Sequence, residues 1–150
     1  MTESKYIWMD GEFTPWNEAK VHVLSHTLHY GNGAIEGTKA YKTVDGRCAI
    51  FKLNEHTQRL LNSSKMTLMN VPFTLEELNK AQVELLQKNE LTNGAYIRPL
   101  VYLGYGVMGL YHKDAPVKVS ISAWEWGAYL GEEGLKKGVR VKISSFTRTP

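Results

Sequence analysis

Three observations predict an α+β fold for this chain, a two-layer sandwich of a mixed, largely antiparallel sheet with two helices on one face. Two Asp-Gly pairs, Asp10-Gly11 and Asp45-Gly46, sit between strand-forming residues and supply the positive φ angles of tight hairpins. Two consecutive amphipathic stretches follow in the middle of the chain. Runs rich in β-branched and aromatic residues then return, so strands, helices and strands succeed one another.

Taken in order, Tyr6-Ile-Trp-Met9 and Phe13 form the arms of the first hairpin, and Pro15 ends its second arm. Ala34 to Val44 reads as a strand and Cys48 to Leu53 as its return partner. Asn54 is the expected N-cap of the first helix, with Glu55 in its first turn and Leu60, Leu61, Ser64 and Leu68 at helical spacing. Thr74 and Glu77 form a capping box for the second helix, and Phe73 and Leu78 occupy the staple positions. Leu78, Ala81, Leu85 and Leu86 continue its stripe until Asn93-Gly94, where it is expected to end. Tyr96 to Leu103, Val117 to Trp124 and Gly138 to Phe146 read as strands. The organisation expected is a small domain over residues 1–125, a connector over 126–137 and the first strand of another domain over 138–150. A final strand with nothing to cover it is either an exposed edge or the front of a longer protein.

The 150 residues, 43% hydrophobic and 22% charged, suit one globular domain or one domain and a fragment of a second. The net charge of +3 is scattered, and no basic run interleaves with aromatics, so no nucleic-acid partner is expected. Cys48, the lone cysteine, cannot form an internal disulfide and reads as a buried thiol beside Ile50 in a reducing compartment. The N-terminus lacks a signal-peptide core and no apolar run has membrane-spanning length, so a cytoplasmic protein with no membrane partner is expected.

Chemistry concentrates between Ser25 and Tyr41, which hold two histidines, two tyrosines, three glycines, a glutamate and a lysine. Alternation along an extended second half places Ile35, Gly37, Lys39 and Tyr41 on one face. Glycine within a strand is costly unless a ligand or another backbone needs the room, so this face reads as one wall of a small-molecule site. His22, His26 and His29 lack a further ligand and are read as packing or hydrogen-bonding groups, with no metal expected. Gly104-Tyr-Gly106-Val-Met-Gly109 matches a dinucleotide fingerprint, but Leu110 to Pro116 cannot open the required helix. Tyr96 and Arg98 share a strand face and can grip a carboxylate, or Arg98 can pair with a surface acid. Arg59, early in the first helix, suits an anion or a solvated face. Trp124, Trp126 and Tyr129 punctuate the connector as pocket wall or as hydrophobic plug.

Several segments together resemble one family. They are Tyr6-Ile-Trp8 with Asp10-Gly11, Ala19-Lys-Val-His22, His29-Tyr-Gly31, Glu36-Gly37, Glu55-His56 with Arg59-Leu60, Ala95-Tyr-Ile-Arg-Pro99 with Leu100, and Trp126-Gly-Ala-Tyr-Leu-Gly131. In order and spacing they resemble the branched-chain amino acid aminotransferases of the fold-type IV pyridoxal-phosphate enzymes. The resemblance implies the small N-terminal domain of such an enzyme, with residues 138–150 entering its cofactor-binding domain. It implies pyridoxal 5'-phosphate as cofactor, amino acids and 2-oxo acids as substrates, Schiff-base ping-pong chemistry, and a homo-oligomer built from dimers.

By the same resemblance Arg59 holds the cofactor phosphate and Tyr96 the substrate α-carboxylate, while Arg98, helped by Tyr30 and Tyr129, receives a distal carboxylate. Ile35, Gly37, Trp126, Met108 and Leu110 contact a branched aliphatic side chain, the last two from a partner subunit. Family members often carry phenylalanine at Ile35 and arginine at Lys39, and a lysine there offers no bidentate contact. No catalytic residue is assigned within the chain, because the Schiff-base lysine is expected beyond Pro150, which makes residues 1–150 alone inactive. A D-amino acid aminotransferase, an aminodeoxychorismate lyase and a non-catalytic binding or oligomerisation module are the alternatives.

Overall fold

The computed structural model describes residues 2–127 and 131–147. Strands β1 (Tyr6–Met9) and β2 (Glu12–Pro15) form the first hairpin, where Asp10 and Gly11 take φ of 49° and 106°, both positive as a twisted two-residue turn requires. A 3-10 turn at Trp16–Glu18 and the short helix α1 (His26–Tyr30) lead into β3 (Gly33–Ile35) and β4 (Thr38–Lys42). After β5 (Cys48–Ile50) come helices α2 (Leu53–Met66) and α3 (Leu75–Lys88), strands β6 (Gly94–Leu103) and β7 (Val117–Trp124), and helix α4 (Gly131–Lys137).

Among the described residues seven strands make one sheet in the order β2-β1-β7-β6-β4-β5, with β3 also pairing β6. Every pairing among the described residues is antiparallel, where a mixed, largely antiparallel sheet was expected. The α+β sandwich itself is as expected: α2 and α3 pack on each other and on one face, α3 against β1 and β7, α2 against β3 and β6. That layer holds the core, where Leu60, Leu78 and Leu85 meet Ile97, Val101, Val119, Ile121 and Ala123 at near-zero exposure. Each of the larger side chains contributes roughly 1.5–3 kcal/mol. Cys48 is half-buried and packs against this cluster.

Three boundaries differ from expectation. Helix α2 starts two residues earlier, behind Lys52 in the left-handed conformation, and Asn54 is inside its first turn. The Asn54 side chain accepts instead from Asn79 Nδ2 at 2.6 Å, one end of a polar seam that continues through Thr57 to Gln82 and ties α2 to α3. Helix α3 has the expected capping box, with Thr74 N donating to Glu77 at 2.7 Å and Glu77 N to Thr74 Oγ1 at 3.2 Å. It ends at Lys88, well before Asn93-Gly94, because Asn89 turns to the first strand. The expected strand from Gly138 to Phe146 is absent: 138–147 has no regular structure, no described strand pairs with it, and Val141, Ile143 and Phe146 are exposed.

Buried Asn89 accepts from Lys5 N and Tyr6 N at 2.9 and 2.7 Å and donates to Tyr6 O at 3.0 Å, joining β1 to the end of α3. Asn89→Ala leaves three backbone groups without partners and should cost about 2–3 kcal/mol. Urea unfolding measures the loss, and amide exchange at Lys5 and Tyr6 should accelerate before the rest of β1 does.

Candidate functional site

The sheet face turned away from the helices carries the chemistry. Ala34, Thr38 and Ala40 are buried toward the helices, while Ile35, Lys39 and Tyr41 point to the open face, as alternation predicted. The strand is nevertheless broken at Glu36-Gly37. Glu36 lies opposite Pro99 and its N–H donates to that carbonyl at 3.0 Å, but Pro99 has no N–H to return. The register still holds across the break, since Ile35 faces Leu100 and Thr38 faces Ile97.

Gly37 is needed by its neighbour on β6. A methyl group there would collide with the Tyr96 hydroxyl and stand 2.9 Å from the ring carbon bearing it. The room expected for a ligand or backbone is therefore filled by a phenol. Tyr96 packs edge-on against Trp126 at 4.7 Å between centroids and against Trp124 at 5.2 Å. Trp124 is buried, and Trp126 is at the surface of the cluster.

Arg98 Nη2 donates to the Tyr96 hydroxyl at 2.9 Å, and its guanidinium is 5.2 Å from the Tyr96 ring centre. No carboxylate among the described residues pairs with it, and its buried Nε has no hydrogen-bond partner. Of the two readings open to Arg98, the surface ion pair is thus not the one realised. Lys39, Tyr96, Arg98, Trp126 and Gly127 line a cavity of about 290 Å³. Such a cavity presents a cation without a counter-ion beside two aromatic walls, which suits a small molecule with one carboxylate and one apolar part.

Arg59 lies in the second turn of α2, beyond the reach of the helix N-terminus, so its affinity for anions rests on the guanidinium alone. Its Nε and Nη2 edge pairs with Glu36, Nη2 at 2.7 Å, and His56 Nδ1 stands 2.9 Å from the same carboxylate. Burial pushes the Glu36 carboxyl up, but hydrogen bonds from Arg59 and His56, the Arg59 charge and the Gly37 N–H outweigh it and hold the group below its ordinary value. Glu36 is 5% exposed and Arg59 65%, so the arginine's Nη1 edge remains free for an anion at the surface. Sequence reasoning gives Glu36 and His56 no role, for their partners are some twenty residues away.

Tyr30, Met108 and Leu110 form a separate group at the other end of β6. The Tyr30 hydroxyl accepts from Gly109 N at 3.1 Å, between Met108 and Leu110. Among the described residues no hydrogen bond, ion pair or ring contact links Tyr30 to Tyr96 or Arg98. The histidines act as hydrogen-bonding groups, His26 Nε2 to Gly109 O at 2.7 Å and His29 Nε2 to Val23 O at 2.9 Å. Tyr129 lies outside the described residues.

A family model described as amino-transferase class IV matches residues 33–150. The branched-chain-amino-acid aminotransferase of Pseudomonas aeruginosa is 49% identical over 142 residues, covering 95% of this chain and 46% of that protein. The crystal structure of the Escherichia coli branched-chain amino acid aminotransferase superposes with a TM-score of 0.90 at 41% identity, over 98% of this chain and 48% of that one. The branched-chain aminotransferase of the thermophilic archaeon Thermoproteus uzoniensis, crystallised with norvaline, gives 0.80 at 38% identity, over 85% and 42%. The chain therefore spans about half the length of these relatives.

Two outcomes test the geometry. Gly37→Ala should cost about 1–3 kcal/mol by overpacking, and Tyr96→Phe should cost less in that background than alone, since the hydroxyl is the nearest atom. The lowered Glu36 carboxyl stabilises the fold fully above its ordinary value of 4.5 and ceases to as pH falls through its native value. Glu36→Gln should remove about 1–2 kcal/mol at neutral pH and flatten the decline of stability in acid, read from denaturant midpoints across pH.

Proposed function

The chain belongs to the class IV aminotransferases, and from that membership we propose that it is the N-terminal part of a branched-chain amino acid aminotransferase. The reaction is exchange of the amino group of L-leucine, L-isoleucine or L-valine with 2-oxoglutarate, giving the branched 2-oxo acids and L-glutamate. The observation that carries this reading is Arg98, a guanidinium with no acid partner among the described residues and an unbonded buried Nε beside the phenol of Tyr96. Both substrates bring a carboxylate and differ in the rest of the side chain. A site for both needs an aromatic and aliphatic wall with its cation confined to one place.

In this reading Tyr96 bonds the α-carboxylate, and Arg98 receives the distal carboxylate of glutamate with help from Tyr129 and from the Tyr30 of a second copy. Ile35, Gly37 and Trp126 contact the aliphatic side chain, as do Met108 and Leu110 from a second copy in a homo-oligomer. Lys39, at the cavity rim, acts as a point charge without a fork. The exposed Nη1 edge of Arg59 fits the phosphate of pyridoxal 5'-phosphate, a dianion that a guanidinium binds well. When bound, that cofactor supplies the electron sink through which the amino group changes skeletons. Residues 126–137 serve as connector and 138–150 begin the cofactor-binding domain, where exposed Val141 and Ile143 alternate as in a strand awaiting a partner. The cofactor-carrying lysine lies beyond Pro150.

Assay of the full-length protein with L-leucine, D-alanine and aminodeoxychorismate tests the proposal. Turnover of L-leucine with 2-oxoglutarate is expected, and preference for either other substrate overturns it. Arg98→Ala should raise KM for 2-oxoglutarate by roughly a hundredfold while moving that for L-leucine by a few-fold. Borohydride reduction should fix cofactor on a lysine beyond Pro150 and leave every lysine of residues 1–150 unlabelled.

A further inference from the structure

We propose that His26 is a positioning residue that sets the loop carrying Met108 and Leu110, and through it the preference for aliphatic over anionic side chains. The specificity part rests on the aminotransferase reading of those two residues. The clamp itself rests on geometry. Gly109 takes φ of 105°, a conformation closed to most side chains, so its two flanking peptide groups need external partners to stay in place. Both have one. On the Met108 side the Gly109 N–H donates to Tyr30 Oη at 3.1 Å, and on the Leu110 side His26 Nε2–H donates to the Gly109 carbonyl at 2.7 Å. Holding both planes fixes the directions in which Met108 and Leu110 leave the glycine.

The clamp is built into α1. His26 and Tyr30 are four residues apart on one helical face, with ring centres 4.4 Å apart. His26 is 1% exposed; its Nε2 faces a carbonyl oxygen, which can only accept, so Nε2 carries the proton, and with Nδ1 buried without a partner the ring's one bond goes to Gly109. The root of the loop is tied to the same helix, with His26 N donating to Gly104 O at 3.1 Å and Leu103 N to Thr27 Oγ1 at 2.7 Å. His112, past Leu110, accepts from Asn32 Nδ2 through its Nε2 at 3.2 Å. A residue there only to fill space would leave the Gly109 carbonyl to solvent. Met108 and Leu110 are exposed in this chain, so the loop is held rigid from below while its apolar side chains are presented outward.

Steady-state kinetics of the full-length enzyme, with amide exchange at Gly109, test the proposal. His26→Leu should raise KM for L-leucine roughly tenfold while leaving kcat and KM for 2-oxoglutarate within about twofold. Gly109 exchange should accelerate in His26→Leu and in Tyr30→Phe. His26→Gln, whose amide N–H can reach the same carbonyl, should restore both the KM for L-leucine and the protection of Gly109. Should His26→Leu not fold, His26→Asn, too short to reach the carbonyl, carries the same expectation. A parallel rise of both KM values, or Gly109 protection unchanged in a folded variant, overturns the proposal. A wild-type enzyme inactive toward L-leucine overturns the functional reading and the specificity claim with it, while amide exchange still reads the clamp.

Discussion

Pro99 lies in the middle of β6, a strand with neighbours on both sides, and the local geometry of the site depends on what its missing N–H removes. The carbonyl of Pro99 points to Glu36, so toward Ile121 on β7 the pair is the kind that exchanges no ladder bonds, and proline there costs nothing. Toward Glu36 one bond of two is lost, and that is where β3 and β4 separate. The interruption leaves the register intact, so it loosens two residues without turning the strand over.

Those two residues serve opposite faces. Glu36 turns into the helix layer and fastens Arg59 and His56 to the sheet; Gly37 opens the other face to the Tyr96 phenol, which in turn receives Arg98. One dipeptide thus holds two arginines in different electrostatic states. Arg59 is neutralised along one edge and offers the other to solvent, a suitable state for a dianion that would bind too loosely to an untethered side chain. Arg98 has no carboxylate among the described residues and is desolvated at Nε, so an incoming carboxylate gains a strong bond without displacing a resident acid.

The fold was legible wherever local chemistry decides structure. Asp10-Gly11 makes a turn whatever surrounds it, Thr74 and Glu77 cap α3 with their own atoms, and the strand formers of 117–124 become β7 with those limits. What was misread depends on distant partners. Asn54 has the right composition for a cap, but Asn79 takes its side chain and Lys52 makes the entry in a conformation that propensity does not favour. Asn89 ends α3 early because β1 needs it. The site shows the same division. Alternation put Ile35, Gly37, Lys39 and Tyr41 on one face and paired Tyr96 with Arg98. Nothing local in the sequence indicates that Glu36 binds Arg59, or that His26 reaches Gly109 across 83 residues.

The open face is therefore unlike the solvated face of an ordinary antiparallel sheet, which carries interspersed charges of both signs. Here the central positions are Tyr96 and Arg98, flanked by Trp124, Trp126, Gly37 and Ile35, and Lys39 lines the same cavity. Aromatic rings gain little from water, and the buried Nε of Arg98 is left without a hydrogen-bond partner. An anion and an apolar group arriving together would pair the guanidinium and exclude water from the same space. On the proposed reading, an amino acid with a branched side chain supplies both, and the distal carboxylate of glutamate meets Arg98 in a cavity that Lys39 also lines. On the same reading, the separation of Tyr30, Met108 and Leu110 from this centre within the chain fits a wall offered to a second copy, stiffened by α1 without burdening the strand that holds Arg98.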